Sequence, residues 1–404
     1  MPCLANRRMT KCPSQSSLAK DWGVSGERTK PGRQVPMRAR LEQARARASH
    51  WPPVPLPRGA RLVDELECVL SVLLAIVIAH LIGAQNISWA AFSGYMVMRG
   101  HIAETLLRGT LRILGTAFGA GLALVVVPAV HVSWPLSSLA GALFGGATLY
   151  GALTGRRAYA WLFTGLTFEM ILLDKLEHPG DAVTTFAATR LMEITAGTCA
   201  CVIVSTASAL TMRRRWPGIR APSPQRIGWH PHALRHAAQA AVALAFLPLV
   251  GALFGIRELA QGAVSIMAAM LVPVGSLGAS GLMPVSRKLV QRVAGCLAGA
   301  ALAALVLLLA HGSAATLLLG TAAGVMIGRH IENGSHAHIY VGTQFTLAIL
   351  VTLVPDSYAA AAIAPALDRL YGILVGMALL EPVLVMWHAI GSVKGSPAAS
   401  NHTL

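Results

Sequence analysis

Charged side chains are scarce in this chain, where Asp, Glu, Lys and Arg make up 12% of 404 residues. A soluble globular domain usually contains about 25%. Apolar residues reach 54%, and the mean hydropathy is +0.59. Such a composition is typical of a polytopic membrane protein, so we expect the lipid bilayer to be its surroundings.

The sequence also lacks the common catalytic and nucleotide-binding motifs. It contains no P-loop, no G-x-S-x-G and no H-E-x-x-H pattern. Cys199-Ala-Cys201 has neither redox nor zinc spacing. The segment from His330 to His338 carries three histidines and a glutamate but matches no standard zinc site, so we interpret it as a solvated, pH-sensitive turn. We therefore expect no enzyme activity, no cofactor, no catalytic residue and no metal.

Acidic residues are few, and the formal net charge is +16. Much of this excess lies in residues 1–61, where thirteen Lys and Arg face three acidic residues. This tail has no apolar periodicity and predicts disorder. A basic tail beside a membrane is explained by cytoplasmic retention or contact with anionic lipid. Because no nucleic-acid module accompanies the charge, we expect no nucleic-acid partner.

A glycine motif occurs twice in the chain. Arg112-Ile-Leu-Gly-Thr-Ala-Phe-Gly119 and Arg292-Val-Ala-Gly-Cys-Leu-Ala-Gly299 share the pattern R-x-x-G-x-x-x-G at an offset of 292 − 112 = 180 residues. Arg190 and Arg369 repeat at 179. The threonines Thr164 and Thr167 match Thr343 and Thr346 at the same 179. These landmarks predict a chain built twice from one unit of about 180 residues.

Apolar segments predict an all-α fold of about twelve membrane spans in two six-helix repeats. The first repeat is 62–212, a basic cytoplasmic linker follows at 213–231, the second repeat is 232–390, and 391–404 is a tail. The predicted spans are Leu66–Ile82, Ser88–Met98, Arg108–Val127, Leu136–Thr154, Tyr159–Leu173, Ala187–Met212, Leu234–Phe254, Leu259–Val274, Lys288–Ala310, Ala314–Gly328, Ile339–Val354 and Ile363–His388.

Alternating loop charge predicts the orientation of these spans. Even-numbered turns carry the arginines, whereas turns such as Gly83–Ile87 and Pro128–Pro135 carry no Lys or Arg. Basic loops stay in the cytoplasm, so both termini should be cytoplasmic. Each repeat has an even number of spans, and the two repeats should therefore be parallel, related by an axis along the membrane normal.

Short spans point to a candidate binding site. Span two has about eleven residues, span eight ends in a Gly/Pro-rich break after Pro273, and spans five and eleven are also brief. Short or broken spans at matching places in two halves indicate a transporter binding site, although tilted helix pairs remain an alternative. Near these spans we assign anion binding to Arg190 and Arg369. Four threonines complete the predicted substrate site, Thr164, Thr167, Thr343 and Thr346, with interhelical hydrogen bonding as their alternative role.

Four carboxylates inside the predicted spans are candidates for proton coupling. Glu169 has no obvious local partner, Glu193 can pair with Arg190 three residues earlier, and Asp368 and Glu381 lie in the last span. The alternative is that each is a helix-end anchor or a satisfied pair. Arg112 and Arg292 are predicted to begin their spans at the cytoplasmic side and to snorkel there.

These motifs together resemble a known family. Trp89 with a short helix ending at Met98-Arg99, then Arg112-x-x-Gly115-Thr-x-x-Gly119, and finally Arg190-x-x-Glu193-x-x-x-Gly197 are similar to the fusaric-acid-resistance-like (FUSC) or aromatic acid exporter family. The resemblance covers about Arg61–Trp216 and continues more weakly into the second half. It implies a multi-pass exporter of small organic, often aromatic, acids in a bacterial inner membrane, driven by the proton gradient.

The sequence therefore predicts a secondary transporter for a small organic anion. An anion channel without proton coupling is the main alternative, and a polytopic membrane enzyme is a more remote one. A homo-oligomer or a periplasmic accessory protein stays open as a further partner.

Overall fold

A computed structural model describes residues 57–218, 228–256, 259–277, 281–334, 337–358 and 361–394. Most of the predicted tail 1–61, part of the linker 213–231 and most of the tail 391–404 lie outside these ranges. The described residues form helices and contain no β-strand.

Twelve helices of 11 to 31 residues account for most of the described chain. A helical turn at Met212–Arg215 and a 3-10 turn at Val274–Ser276 are additional. The twelve helices are α1 Arg58–Leu81, α2 Ile87–Val97, α3 Ile102–Val130, α4 Trp134–Thr154, α5 Ala158–Glu177, α6 Val183–Leu210, α7 Pro231–Phe254, α8 Leu259–Met270, α9 Leu282–Ala310, α10 Ala314–Glu332, α11 Ile339–Leu353 and α12 Ala364–Lys394.

Seven described helices are long and apolar enough to cross a membrane, namely α3, α4, α6, α7, α9, α10 and α12. A span needs about 20 mostly apolar residues, so this set makes the chain a multi-pass membrane protein in a lipid bilayer. The helices α8 and α11 are apolar but shorter. Seven of the twelve predicted spans are therefore helices that can cross a membrane, and the total of twelve spans stays a prediction.

The predicted short helices are short in the structure. α2 has 11 residues and α8 has 12, and α8 is followed by Pro273 and the 3-10 turn. α5 differs from its prediction, because it continues beyond Leu173 to Glu177 and reaches 20 residues. It is therefore not a brief helix, and the last turn contains Asp174 and Lys175, which an apolar search for a span leaves out.

Glycines bring α3 against α5. A Cβ built on Gly115 would lie 2.5 Å from the Ala160 carbonyl oxygen, and one on Gly119 would meet the Thr164 carbonyl oxygen even more closely. Only a residue without a side chain allows backbones to approach this closely. The glycine motif is therefore a helix-packing device, as predicted.

The second copy of the motif makes the same contact between α9 and α11. A Cβ on Gly295 would lie 2.6 Å from the Val341 carbonyl oxygen, and one on Gly299 would lie 2.5 Å from that of Phe345. The contacted residues shift from Ala160 to Val341, which is an offset of 341 − 160 = 181. The threonine offset of 179 is thus two residues too short for this helix pair.

The two halves of the bundle meet along matching helix pairs. α4 packs on α7, and α1 packs on α10. The largest apolar core lies among α4, α5, α7, α8, α9 and α12. The α4–α7 contact is built from small residues, because a Cβ on Gly146 would lie 2.9 Å from that of Ala241.

Each short helix receives a carboxylate from the other half at its N-terminus. The Ile87 amide of α2 donates to Asp356 Oδ1 at 2.9 Å. The Leu259 amide of α8 donates to Glu177 Oε1 at 2.7 Å. The first amides of a helix have no partner within the helix, and a carboxylate there also meets the positive end of its dipole. These two bonds are referred to below as the crossed caps.

The α1–α10 contact instead carries an ion network. Arg329 Nε donates to Asp64 Oδ2 at 2.6 Å, and Arg213 Nη2 lies 3.3 Å from Asp64 Oδ1. Asp64 precedes the predicted span of α1. Burial alone would raise its pKa, but the adjacent guanidinium of Arg329, the amide of Asn333 and Arg213 lower the pKa of Asp64 to about 2.

Candidate functional site

A cavity of about 230 Å³ lies between the two halves of the bundle. Helices of both halves contribute to its wall, including the short α2 and α8. Its lining residues are Trp89, Phe92, Met96, Arg108, Arg112, Tyr159, Leu162, Phe163, Leu166, Thr167, Met170, Phe186, Arg190, Ile194, Val264, Ala268, Leu271, Lys288, Arg292, Tyr340, Thr343, Gln344, Leu347 and Arg369.

The first half contributes a basic cluster from α3 and α5. Arg112 is 2% exposed, and its Nη1 donates to the Tyr159 hydroxyl at 3.1 Å. Its guanidinium lies 4.1 Å from the centre of the Phe163 ring. Arg108, one turn earlier, lies 4.1 Å from the centre of the Tyr159 ring. Two cations are thus held against aromatic faces by cation–π attraction.

The second half repeats this cluster on α9 and α11. Arg292 is 1% exposed, and its Nη1 donates to the Tyr340 hydroxyl at 3.1 Å. Lys288 lies 5.0 Å from the centre of the Tyr340 ring. Its Nζ donates to the carbonyl oxygens of Ala268 and Leu271 at 2.7 and 2.8 Å, where α8 ends.

Arg190 of α6 sits among aromatic rings beside one carboxylate. Its guanidinium lies 4.1 Å from the ring centre of Trp89 and 4.7 Å from that of Phe186. Its Nη1 lies 3.3 Å from Glu193 Oε2, while Glu193 Oε1 accepts from the Asn86 amide at 3.0 Å. The predicted pair within one helix therefore exists, and Glu193 also binds the start of α2.

Arg369 of α12 has amide partners where Arg190 has rings and a carboxylate. Its Nη1 donates to Gln261 Oε1 and its Nη2 to Gln344 Oε1, both at 3.2 Å. Phe92 is the aromatic ring nearest to it, with 5.8 Å between the guanidinium and the ring centre. Among the described residues, Arg369 therefore has no carboxylate in hydrogen-bond contact.

The charged side chains of the described lining are all basic. It contains six cationic side chains, and no carboxylate belongs to the lining in the described part of the chain. Several buried guanidinium nitrogens also lack a hydrogen-bond partner among the described residues: Nε of Arg108, Arg112, Arg190 and Arg369, and Nε and Nη2 of Arg292. Uncompensated donors and positive charge in a poorly hydrated site favour an anion.

The predicted substrate residues divide into two groups. Arg190, Arg369, Thr167 and Thr343 line the cavity. Thr164 and Thr346 do not belong to its lining, since the Thr164 hydroxyl donates to the carbonyl oxygens of Gly115 and Ala160 and the Thr346 hydroxyl to that of Gly342. The bond from Thr164 to Gly115 joins two helices, as the alternative role predicts, whereas the Thr346 bond lies within α11.

The predicted proton-coupling residues are not brought together. Glu169 is 1% exposed and faces α4, with its Oε2 3.2 Å from a Cβ built on Gly141. Asp368 is exposed, and Glu381 accepts from the Ser286 hydroxyl at 3.0 Å. Glu193 is the one of the four for which the structure gives a bond to a cavity arginine.

Sequence reasoning missed two thirds of the basic lining. It assigned Arg112 and Arg292 to snorkelling at a helix start, which is wrong, because both are buried ten residues into their helices and face the cavity. It interpreted Arg108 and Lys288 as cytoplasmic loop charges at the start of their spans and gave them no part in the site. The signal was present, since Arg108-x-x-x-Arg112 and Lys288-x-x-x-Arg292 put two cations on one helix face at an offset of 180 in both cases.

In the described part of the segment from His330 to His338, His330 lies in the last turn of α10 and contacts a carboxylate of α1. His330 Nδ1 lies 2.8 Å from Glu65 Oε1 of α1. His336 lies outside the described residues. Within them, no group of three His, Cys, Asp or Glu side chains has a geometry that could hold a metal ion.

Comparison with known proteins gives one match, which covers most of the first half of the bundle. The model of the fusaric acid resistance protein family, FUSC, matches residues 66–221. Neither the curated proteins nor the solved structures gave a match. The matched residues run from α1 to the linker and include Arg108, Arg112 and Arg190. Over residues 66–221, this multi-pass membrane protein is therefore similar to the fusaric acid resistance protein family.

Proposed function

We propose that this protein is a secondary transporter that exports small organic anions, with a preference for aromatic acids, across a bacterial inner membrane. The observation that carries the proposal is the cavity between the two halves, which has six cationic side chains and no carboxylate among its described lining residues. A membrane-embedded cation is costly and marks an ion or substrate pathway. The family match and the multi-pass architecture support the same class of protein. We assign the chain no catalytic step.

The proposal includes two parallel six-helix repeats with both termini in the cytoplasm. In support, α3 packs on α5 as α9 packs on α11, and α4 packs on α7 as α10 packs on α1. The Arg112–Tyr159 and Arg292–Tyr340 hydrogen bonds have the same length, 3.1 Å. A transporter with such repeats binds its substrate near the repeat interface, where this cavity lies.

Aromatic preference rests on the rings that surround the cations. Trp89 and Phe186 flank Arg190, and Phe163 lies against Arg112. An arginine stacked on a ring presents its edge, where its N–H groups lie, to a carboxylate. The same rings give an aromatic substrate apolar contact beside its charge, as in most small-molecule sites.

Proton coupling in this proposal is assigned to one carboxylate. Glu193 is the favoured residue because it already neutralises Arg190. A proton on Glu193 would weaken that pair and leave Arg190 for the substrate. The membrane potential also acts on the cargo, since moving one elementary charge across 100 mV is worth about 2.3 kcal/mol. An inside-negative potential therefore drives an anion outward without any proton, which is how the channel alternative would work.

Efflux from proteoliposomes tests the proposal. Purified protein is reconstituted, the vesicles are loaded with benzoate or 2-naphthoate, and efflux is followed with an imposed pH gradient, an imposed potential or neither. We expect efflux of the aromatic acids to depend on protein and to increase with the pH gradient. Efflux that depends on the potential alone, with measurable current, would establish the channel alternative. No efflux above that of empty vesicles would reject transport of these anions.

Substitutions separate the cavity from a general effect on folding. Arg112→Gln and Arg108→Gln remove a cavity cation of the first half, whereas Arg214→Gln removes an exposed cation outside the cavity. We expect efflux to fall on the order of tenfold or more for the first two, because a charge-assisted hydrogen bond contributes about 1.5–3 kcal/mol. The Arg214→Gln protein should match the unmodified one.

A further inference from the structure

The cavity has two basic clusters, one from each half, and its two sides differ in polarity. We propose that the cargo is an aromatic dianion, with one anionic group and its ring on the first-half side and a second anionic group on the second-half side. This inference rests on the proposed function and names the substrate class of the same site.

The need for two anionic groups follows from the way the two clusters are built. Arg112 and Arg292 are equally buried, each donates to a tyrosine hydroxyl at 3.1 Å, and neither has a carboxylate partner among the described residues. A carboxylate bound at Arg112 leaves Arg292 as it was, with Nε and Nη2 buried and unpaired within the described structure. A buried cation without a partner is expensive. One anionic group per cluster removes that cost on both sides.

The difference between the two sides gives the cargo its orientation. On the first-half side Phe163 lies against Arg112, and Trp89 lies against Arg190. On the second-half side Gln344 and Gln261 hold Arg369 through their amide oxygens. With the offset of 181, Gln344 takes the place of Phe163. Every Phe and Trp of the described lining belongs to the first half, so the first-half side offers an aromatic ring most of its aromatic contacts.

A single dianion suits the space better than two separate monoanions. Cavities for drug-sized ligands measure roughly 300–1,000 Å³, and this one has about 230 Å³. One molecule with two carboxylates would supply both clusters without bringing two mutually repelling free anions into one compartment.

Calorimetric titration of the purified full-length protein in detergent tests the inference with one matched pair of ligands. Naphthalene-2-carboxylate and naphthalene-2,6-dicarboxylate share a ring system and differ in one carboxylate. We expect the dicarboxylate to bind with a stoichiometry of one and on the order of tenfold or more tighter than the monocarboxylate, because the second carboxylate gains charge-assisted hydrogen bonds.

The variant Arg292→Gln should reduce this advantage of the dicarboxylate to about twofold or less, because the second carboxylate loses its partner. Arg112→Gln should instead weaken both ligands, because both carry the carboxylate that binds on the ring side. Arg292→Lys retains the charge and should restore part of the advantage, which distinguishes charge pairing from a packing defect. Arg214→Gln, on the exposed linker side, should change neither affinity.

The possible results separate the inference from the proposed function. Equal affinities for the two ligands, or two monocarboxylates bound per protein, would overturn the dianion inference and leave organic-anion transport standing. Binding of neither ligand, together with no efflux of benzoate from proteoliposomes, would overturn both.

Discussion

Replacing Gly115 with alanine tests how closely α3 and α5 touch. An ideal Cβ at this position lies 2.5 Å from the carbonyl oxygen and 3.1 Å from the Cα of Ala160. Both are backbone atoms, which no change of rotamer can move aside. The two helices must therefore separate, and overpacking of this kind costs roughly 1–3 kcal/mol.

Gly121 provides the matched control on the same helix. A Cβ there meets no described atom within 4 Å. Both substitutions gain about 1 kcal/mol of helix propensity, so their difference isolates the interhelical contact. We expect Gly115→Ala to be less stable than Gly121→Ala by about 1–3 kcal/mol.

The assay is the temperature at which the detergent-solubilised protein loses its monodisperse size-exclusion peak. Gly295→Ala should behave as Gly115→Ala does, because its Cβ lies 2.6 Å from the Val341 carbonyl oxygen. Equal melting temperatures for the Gly115 and Gly121 variants would refute the close approach of α3 and α5. Unequal temperatures for the Gly115 and Gly295 variants would argue against equivalent packing in the two halves.

Three further predictions concern carboxylates. The pKa of Asp64 in the folded protein, about 2, lies below its ordinary value of 3.8. The ionised group therefore contributes stability that is fully present above pH 3.8 and is lost as the pH falls through about 2. At pH 7 we expect Asp64→Asn to lower the free energy of unfolding by about 2 kcal/mol, measured by thermal unfolding. Asp356→Asn should weaken the cap on α2 by about 0.5–1 kcal/mol and speed hydrogen exchange in the first turn of that helix. Glu193→Gln should abolish the acceleration of efflux by a pH gradient while leaving efflux driven by the membrane potential, whereas Glu169→Gln, which is not part of the cavity lining, should keep both.

Each of these three predictions has a result that would contradict it. An Asp64→Asn protein whose stability deficit stays constant from pH 7 to about pH 2 would show that the ion network does not hold the carboxylate ionised. Unchanged hydrogen-exchange rates in Asp356→Asn would contradict the role of Asp356 as a stabilising cap of α2. A Glu193→Gln protein that still responds to the pH gradient would move the coupling site elsewhere, and Glu169 is the next candidate.

Local sequence patterns predict much of the fold. The short α2, the short α8 with its Pro273 break and the glycine contacts of α3 and α9 all follow from spacing and residue size. These features depend on neighbours within one helix or on the absence of a side chain. Such information is present in the sequence itself.

The site was harder to predict because it depends on which face of each helix lines the cavity. A shift of two residues turns a helical position by about 200°, so an offset of 179 in place of 181 assigns Thr346 to the wrong face. Arg112 and Arg292 were likewise placed in the first turns of their spans, since an apolar search starts a span close to the long apolar run and omits the helical turns before it. The true helices begin at Ile102 and Leu282.

The ion network of α1 was missed for the same reason. Asp64 precedes the apolar run, and its partner Arg329 is 265 residues away in sequence. No local pattern joins two such residues. Their pairing is a property of the tertiary structure.

The crossed caps bear on how such a chain could have arisen. Asp356 caps the N-terminus of α2 in the first half, and Glu177 caps the N-terminus of α8 in the second half. In a single six-helix unit, the carboxylate that caps the short helix would have to come from a second copy of the unit. A two-fold dimer of such units would form this capping bond twice. Fusion of two such copies would keep both bonds inside one chain. Either half made alone should then be left with an open helix end and should associate with its own kind.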